Sequence, residues 1–91
     1  MRAVASSASP VIRHGFRLQW EPAQSAHVLL YPEGMIKLNS SAAEILRRCD
    51  GTHTVEQIIT ELESVFQARG LMREVLQFID SATERGWLLV S

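Results

Sequence analysis

The side chains of this 91-residue sequence that have the chemistry for a reaction are few and scattered: His14, His27, His53, the single Cys49, and an Asp80-Ser81 pair. Catalysis needs such groups to converge, as a nucleophile with its base, paired carboxylates or a metal cage. The three histidines fall before a strand, at a strand start and in a turn. None has a second His, Cys or Asp at metal-ligand spacing, so solvated or capping imidazoles account for them. Cys49 follows Arg47 and Arg48, neighbours that lower a thiol pKa. It also lies on an apolar stripe with Ile45 and Leu46, where a small buried hydrophobe is the better reading. Asp80-Ser81 has the form of a phosphopantetheine attachment pair but falls inside a helix, not at a helix start. Gly-rich phosphate loops are absent. No enzyme and no cofactor are expected.

The residues with more to say are Met35, Ile36, Lys37 and Leu38. Pro32 sets a corner between two apolar, β-favouring runs, residues 28–31 and 35–38, and Gly34 is expected to take a positive φ on leaving it. Before them, Phe16, Leu18 and Trp20 alternate with Arg17 and Gln19, a half-buried first strand. Three strands thus make an antiparallel meander, and the third ends at a sheet edge defended by one lysine. An open edge beside a broad apolar helix is the geometry of strand addition.

A bare three-stranded sheet is marginal and needs a helical layer. Ser41 with Glu44 reads as a capping box opening a helix over residues 42–49, and Gly51 is placed to end it. Thr54 with Gln57 repeats the pattern for a second helix, whose stripe is Val55, Ile58, Ile59, Leu62, Val65 and Phe66, with Gly70 closing it. The third helix, residues 71–85, carries Leu71, Val75, Ile79 and Ala82, widened by Leu76 and Phe78. Residues 87–90 then turn back over the core. The expected fold class is α+β and winged-helix-like, a three-stranded antiparallel sheet followed by three helices.

Composition narrows the partners. Nine basic and ten acidic residues give a net charge of −1, without the basic excess that phosphate binding draws on. A DNA-reading winged helix is a weak rival, because the second helix offers Glu56, Glu61 and Glu63 and no Lys or Arg before Arg69. No apolar run approaches the ~18 residues of a membrane span, and a lone cysteine fits a reducing cytoplasm. Residues 1–12 read as a flexible N-terminal tail and residues 13–91 as a single domain.

The order Leu29, Leu30, Tyr31, Pro32, Glu33, Gly34, then Leu38, Asn39, then Ser41, Ala42, Ala43, Glu44, Ile45, Leu46, then Cys49, Asp50, Gly51 and Thr54, Val55 resembles the pyrroloquinoline quinone (PQQ) biosynthesis protein D family (PqqD). The likeness covers about residues 14–90; Ser40 stands where proline is more usual. The resemblance implies a small peptide chaperone, a recognition element for ribosomally made and modified peptides. Such proteins bind the quinone's precursor peptide and present it to a radical S-adenosylmethionine enzyme. In related elements the leader lies along the third strand against the last helix. Carried over, that implicates Met35, Ile36, Lys37, Leu38 and Asn39 with Arg73, Val75, Leu76 and Ile79. A rival from another class is direct binding of the finished quinone, or a late pathway step. The open edge also admits a second copy, so the expected state is a monomer or an edge-paired or strand-exchanged dimer.

Overall fold

The structure, a computed structural model, describes residues 5–90. Its elements run β1 (Pro10–Ile12), β2 (Arg17–Glu21), a 3-10 turn (Pro22–Gln24), β3 (Ala26–Tyr31), β4 (Gly34–Lys37), α1 (Ser40–Arg47), α2 (Val55–Val65), α3 (Met72–Glu84) and β5 (Leu88–Val90). Strands β2, β3 and β4 form the expected antiparallel meander with β3 in the centre. Period-two alternation puts Leu29 against Leu18 and Ile36 on the face toward the helices, and Val28 against Gln19 and Lys37 on the other. The core beneath joins Leu29, Leu38, Ile45, Leu46, Val55, Ile58, Leu62, Val75, Ile79 and Leu88. The α+β, winged-helix-like architecture with three helices after the sheet is present as expected.

The tail expectation is corrected. Residues 10–12 are a strand, antiparallel to β5 with Pro10 opposite Val90. On its other side β1 meets the turn after α1: the Ile12 N–H donates to the Cys49 carbonyl at 3.0 Å, and the Gly51 N–H to the Pro10 carbonyl at 3.1 Å. Ahead of it, the Ala8 carbonyl accepts from Val55 N–H (2.8 Å) and the Ser6 carbonyl from Glu56 N–H (3.0 Å). Those are first-turn amides of α2, which have no intrahelical acceptor and must find one elsewhere. With the Thr54–Gln57 capping box intact, the start of α2 is satisfied by its own cap and by residues 6–8. Small side chains allow this: Ala8 and Pro10 are buried. The remainder of the expected tail, residues 1–4, lies outside the described residues.

Other local expectations shift for identifiable reasons. Asn39, not Ser41, caps α1: its Oδ1 accepts from the Ala42 N–H at 2.8 Å, and the helix spans Ser40–Arg47 rather than 42–49. Glu44 is free of capping and instead holds Arg48 (2.8 Å) and Arg47 (3.2 Å). Gly34 does not use a positive φ; the Tyr31 ring, its cross-strand partner, lies over it, with the hydroxyl oxygen 3.5 Å from where a Cβ would be. The end of α2 is turned by Gln67 at φ +50 before Gly70 is reached. That leaves Val65 and Phe66 off the core, 52% and 41% exposed. Trp20 is exposed as well and meets His27 edge-on at 5.2 Å.

Candidate functional site

Strand β4 is at the end of its sheet, and among the described residues it pairs only with β3. Which of its backbone groups are free follows from the register. Tyr31 and Gly34 flank a two-residue turn, and four residues on the Leu38 N–H donates to the His27 carbonyl at 3.0 Å. Hydrogen bonding to one neighbour alternates along an antiparallel strand. Gly34, Ile36 and Leu38 therefore turn their amides and carbonyls toward β3. Met35 and Lys37 turn theirs outward: two donors and two acceptors in a row with no strand of the described residues against them. Their side chains are exposed on the outer face, whereas Ile36 is half-buried and Leu38 buried. Asn39 is committed to capping α1, and its carbonyl accepts from the Ala43 N–H.

The chain leaves β4 into Ser40 and Ser41, and there a groove of about 300 Å³ opens between the three helices. Its wall is apolar: Ile45 of α1, Leu62 and Phe66 at the end of α2, and Leu71 and Val75 at the start of α3. Among the described residues Glu74 is the one charged residue lining it. The start of α3 is fixed by α2, because the Glu63 carboxylate accepts the Leu71 N–H at 3.1 Å.

Of the expected helix contacts, Val75 alone lines this groove. Ile79 has no accessible surface; it belongs to the core, and its place among the expected contacts is corrected on that ground. At about 100° per residue, Arg73 and Leu76 lie about 100° and 160° around α3 from Glu74, away from the groove side. The sequence reading missed Phe66, Leu71 and Glu74. Phe66 was counted into a core stripe, but it follows the last turn of α2 and is carried off that stripe as the helix ends. Leu71 and Glu74 sit i and i+3 at a helix start, a pairing with no distinguishing signal in sequence.

The isolated groups behave differently from one another. Cys49 is buried and free, its Sγ bonded to the Ile45 carbonyl, and burial, with Asp50 beside it, pushes the thiol pKa up to about 12. Despite the two arginines before it, this is the reverse of an activated nucleophile. His53 is not solitary: its ring nitrogens stand 3.2 Å from Asp50 and from Glu61. Arg48 bridges Glu44 and Glu61, at 2.8 Å each, so the cluster ties α1 to α2. Asp50 is held well below the usual carboxylate range by hydrogen bonds from the Thr52 side chain and backbone and from His53. Asp80 and Ser81 lie in mid-helix. Among the described residues no group of three or more His, Cys, Asp or Glu is placed to hold a metal ion.

The family model for Coenzyme PQQ synthesis protein D (PqqD) matches residues 26–88, from the start of β3 to β5. This chain belongs to the PqqD family. Among its PqqD-family relatives, the PqqA binding protein of Stutzerimonas stutzeri (strain A1501) is 52% identical over 80 residues, covering 87% of each sequence. The PqqA binding protein of Methylococcus capsulatus (strain Bath) is 47% identical over 72 residues, 79% of this chain and 77% of the relative. The fold also matches the solution NMR structure of the PqqD truncation of Methylobacterium extorquens PqqCD. That protein is described as a functional, stand-alone recognition element for ribosomally synthesized and post-translationally modified peptides. The TM-score is 0.80 at 28% identity, over 96% of this chain and 95% of that one.

Proposed function

We propose that this PqqD-family chain is a non-catalytic cytoplasmic adaptor in PQQ biosynthesis. It binds the precursor peptide PqqA by adding it as a strand to β4, and presents it to the radical S-adenosylmethionine enzyme of the pathway. The observation that carries this reading is the unpaired row of Met35 and Lys37 backbone groups, ending at an apolar groove. Relatives at about half identity that are named PqqA binding proteins support the choice of peptide.

Magnitudes divide the work between edge and groove. Four added backbone hydrogen bonds contribute about 1 kcal/mol each net, close to the ~2–5 kcal/mol cost of ordering a disordered peptide. One large apolar side chain lowered into the groove adds about 1.5–3 kcal/mol. The edge therefore sets direction and register, and the groove supplies the surplus that becomes affinity. The same row is open to a second copy of the chain, so a dimer paired through β4 and the peptide complex exclude each other. Backbone amide shifts of labelled protein titrated with PqqA test the reading. Perturbations at residues 35–39 and 71–75 are expected, and perturbations confined to β2 or β5 would refute it.

A further inference from the structure

We propose that Glu74 makes the groove selective for a guest segment that carries a lysine or arginine beside its apolar anchor; this rests on the peptide-binding reading above. Every other large side chain of the groove wall is hydrocarbon or aromatic, and the two serines at its mouth bring no charge. Ser41 is already engaged, donating to Asn39 Oδ1 at 3.4 Å. Among the described residues the Glu74 carboxylate has no ion-pair or hydrogen-bond partner: Arg47 and Arg48 are taken by Glu44 and Glu61, while Arg73 turns to another side of α3.

A guest of matching chemistry satisfies both parts of this arrangement. Its apolar side chain fills the space among Leu62, Leu71 and Val75. A neighbouring lysine or arginine lays its methylene stem along the exposed Phe66 ring and brings its charge to the Glu74 carboxylate. An acidic residue at the same place would set two carboxylates against each other across an apolar wall, which gives discrimination by repulsion as well as attraction. The groove would then read an apolar–basic pair in the guest and reject an apolar–acidic one.

Glu74 also lies in the first turn of α3, where a carboxylate favours the helix whatever binds. Charge swapping separates the two roles. Affinities are measured by calorimetry for wild type, Glu74→Gln and Glu74→Lys against synthetic PqqA, and against PqqA variants in which each lysine or arginine is singly replaced by glutamate. For Glu74→Gln about a two- to five-fold rise in Kd is expected, the range of an exposed ion pair. Glu74→Lys should lose about ten-fold or more, and one peptide variant should recover most of that loss with this protein while weakening with wild type. If wild-type protein fails to bind PqqA at all, the peptide-binding reading itself falls. If wild type binds but no peptide variant recovers Glu74→Lys, or Glu74→Lys binds as wild type does, Glu74 is only a helix-end charge and the selectivity proposal is overturned. Thermal unfolding of each variant shows whether a lost affinity is lost folding.

Discussion

Replacing Lys37 by proline puts the strand-addition mechanism to its sharpest trial. The register of β4 assigns the Lys37 N–H to the outer edge, since the Leu38 N–H is the one that reaches β3. Proline removes that donor and sets its ring where the guest backbone would run. Edge strands accept proline when the lost N–H faces solvent, so the fold should survive with a cost below about 1 kcal/mol. A docked peptide loses one hydrogen bond and some close approach, about 1–2 kcal/mol, which raises Kd about five- to thirty-fold. Met35→Pro removes the other outward donor and should act alike. Ile36→Pro is the contrasting variant: its N–H belongs to the β3 ladder opposite Leu29, so it should lower stability by about 3 kcal/mol. Calorimetric titration with PqqA gives the affinities, and amide spectra report the fold. Wild-type affinity in folded Lys37→Pro and Met35→Pro proteins would refute strand addition at β4, whatever the family does elsewhere.

Three further outcomes follow from the structure. Deleting residues 1–12 should lower the midpoint of thermal unfolding, because it removes the pairing of β1 with β5 and the Ala8 and Ser6 carbonyls that serve α2; at about 1 kcal/mol per net hydrogen bond, several kcal/mol are at stake. Asn39→Ala should cost about 1 kcal/mol by chemical denaturation, whereas Ser41→Ala, which leaves the Asn39–Ala42 bond in place, should cost much less. Cys49 gives a pH signature. Its folded pKa, about 12, exceeds its ordinary value of 9.0, so above pH 9 the unfolded chain releases a proton that the folded chain keeps. Stability should fall by about 1.4 kcal/mol per pH unit from there toward pH 12, and Cys49→Ala should remove that slope in denaturant titrations across this range.

What could be read from residues alone divides along the range of the interactions involved. The β3–β4 hairpin, the Thr54–Gln57 box and the three helical stripes are written in neighbours up to four positions apart, and each is where the pattern puts it except the end of the α2 stripe, Val65 and Phe66. The start of α1 shows the limit of local rules. Asn39 and Ser41 both offer a capping oxygen, and strand β4 ending at Lys37 lets the earlier of the two act. β1 was out of reach because its partners lie far along the chain: Leu88, Leu89 and Val90 on one side, Cys49 and Gly51 on the other. A stretch rich in alanine and serine ahead of Pro10 resembles a solvated tail unless one sees the helix start it caps. The site divides in the same way. The edge was legible from strand count and a single lysine. The groove was not, because it exists only where the ends of α2 and α3 meet the start of α1, and Ile79 and Val75 share a stripe that cannot show which of them reaches the surface.

The pairing of Pro10 with Val90 has a consequence for architecture. Strands β1 and β5 lie side by side, about 5 Å apart as antiparallel partners are, in a sheet that does not include β4, and ahead of β1 residues 6–8 stay against the start of α2. A polypeptide therefore enters this unit past the start of α2 and leaves it alongside β1. A fusion through the end of β5 would attach at a sheet separate from β4 and leave the β4 edge untouched. The Methylobacterium relative with this fold was solved as a truncation of PqqCD.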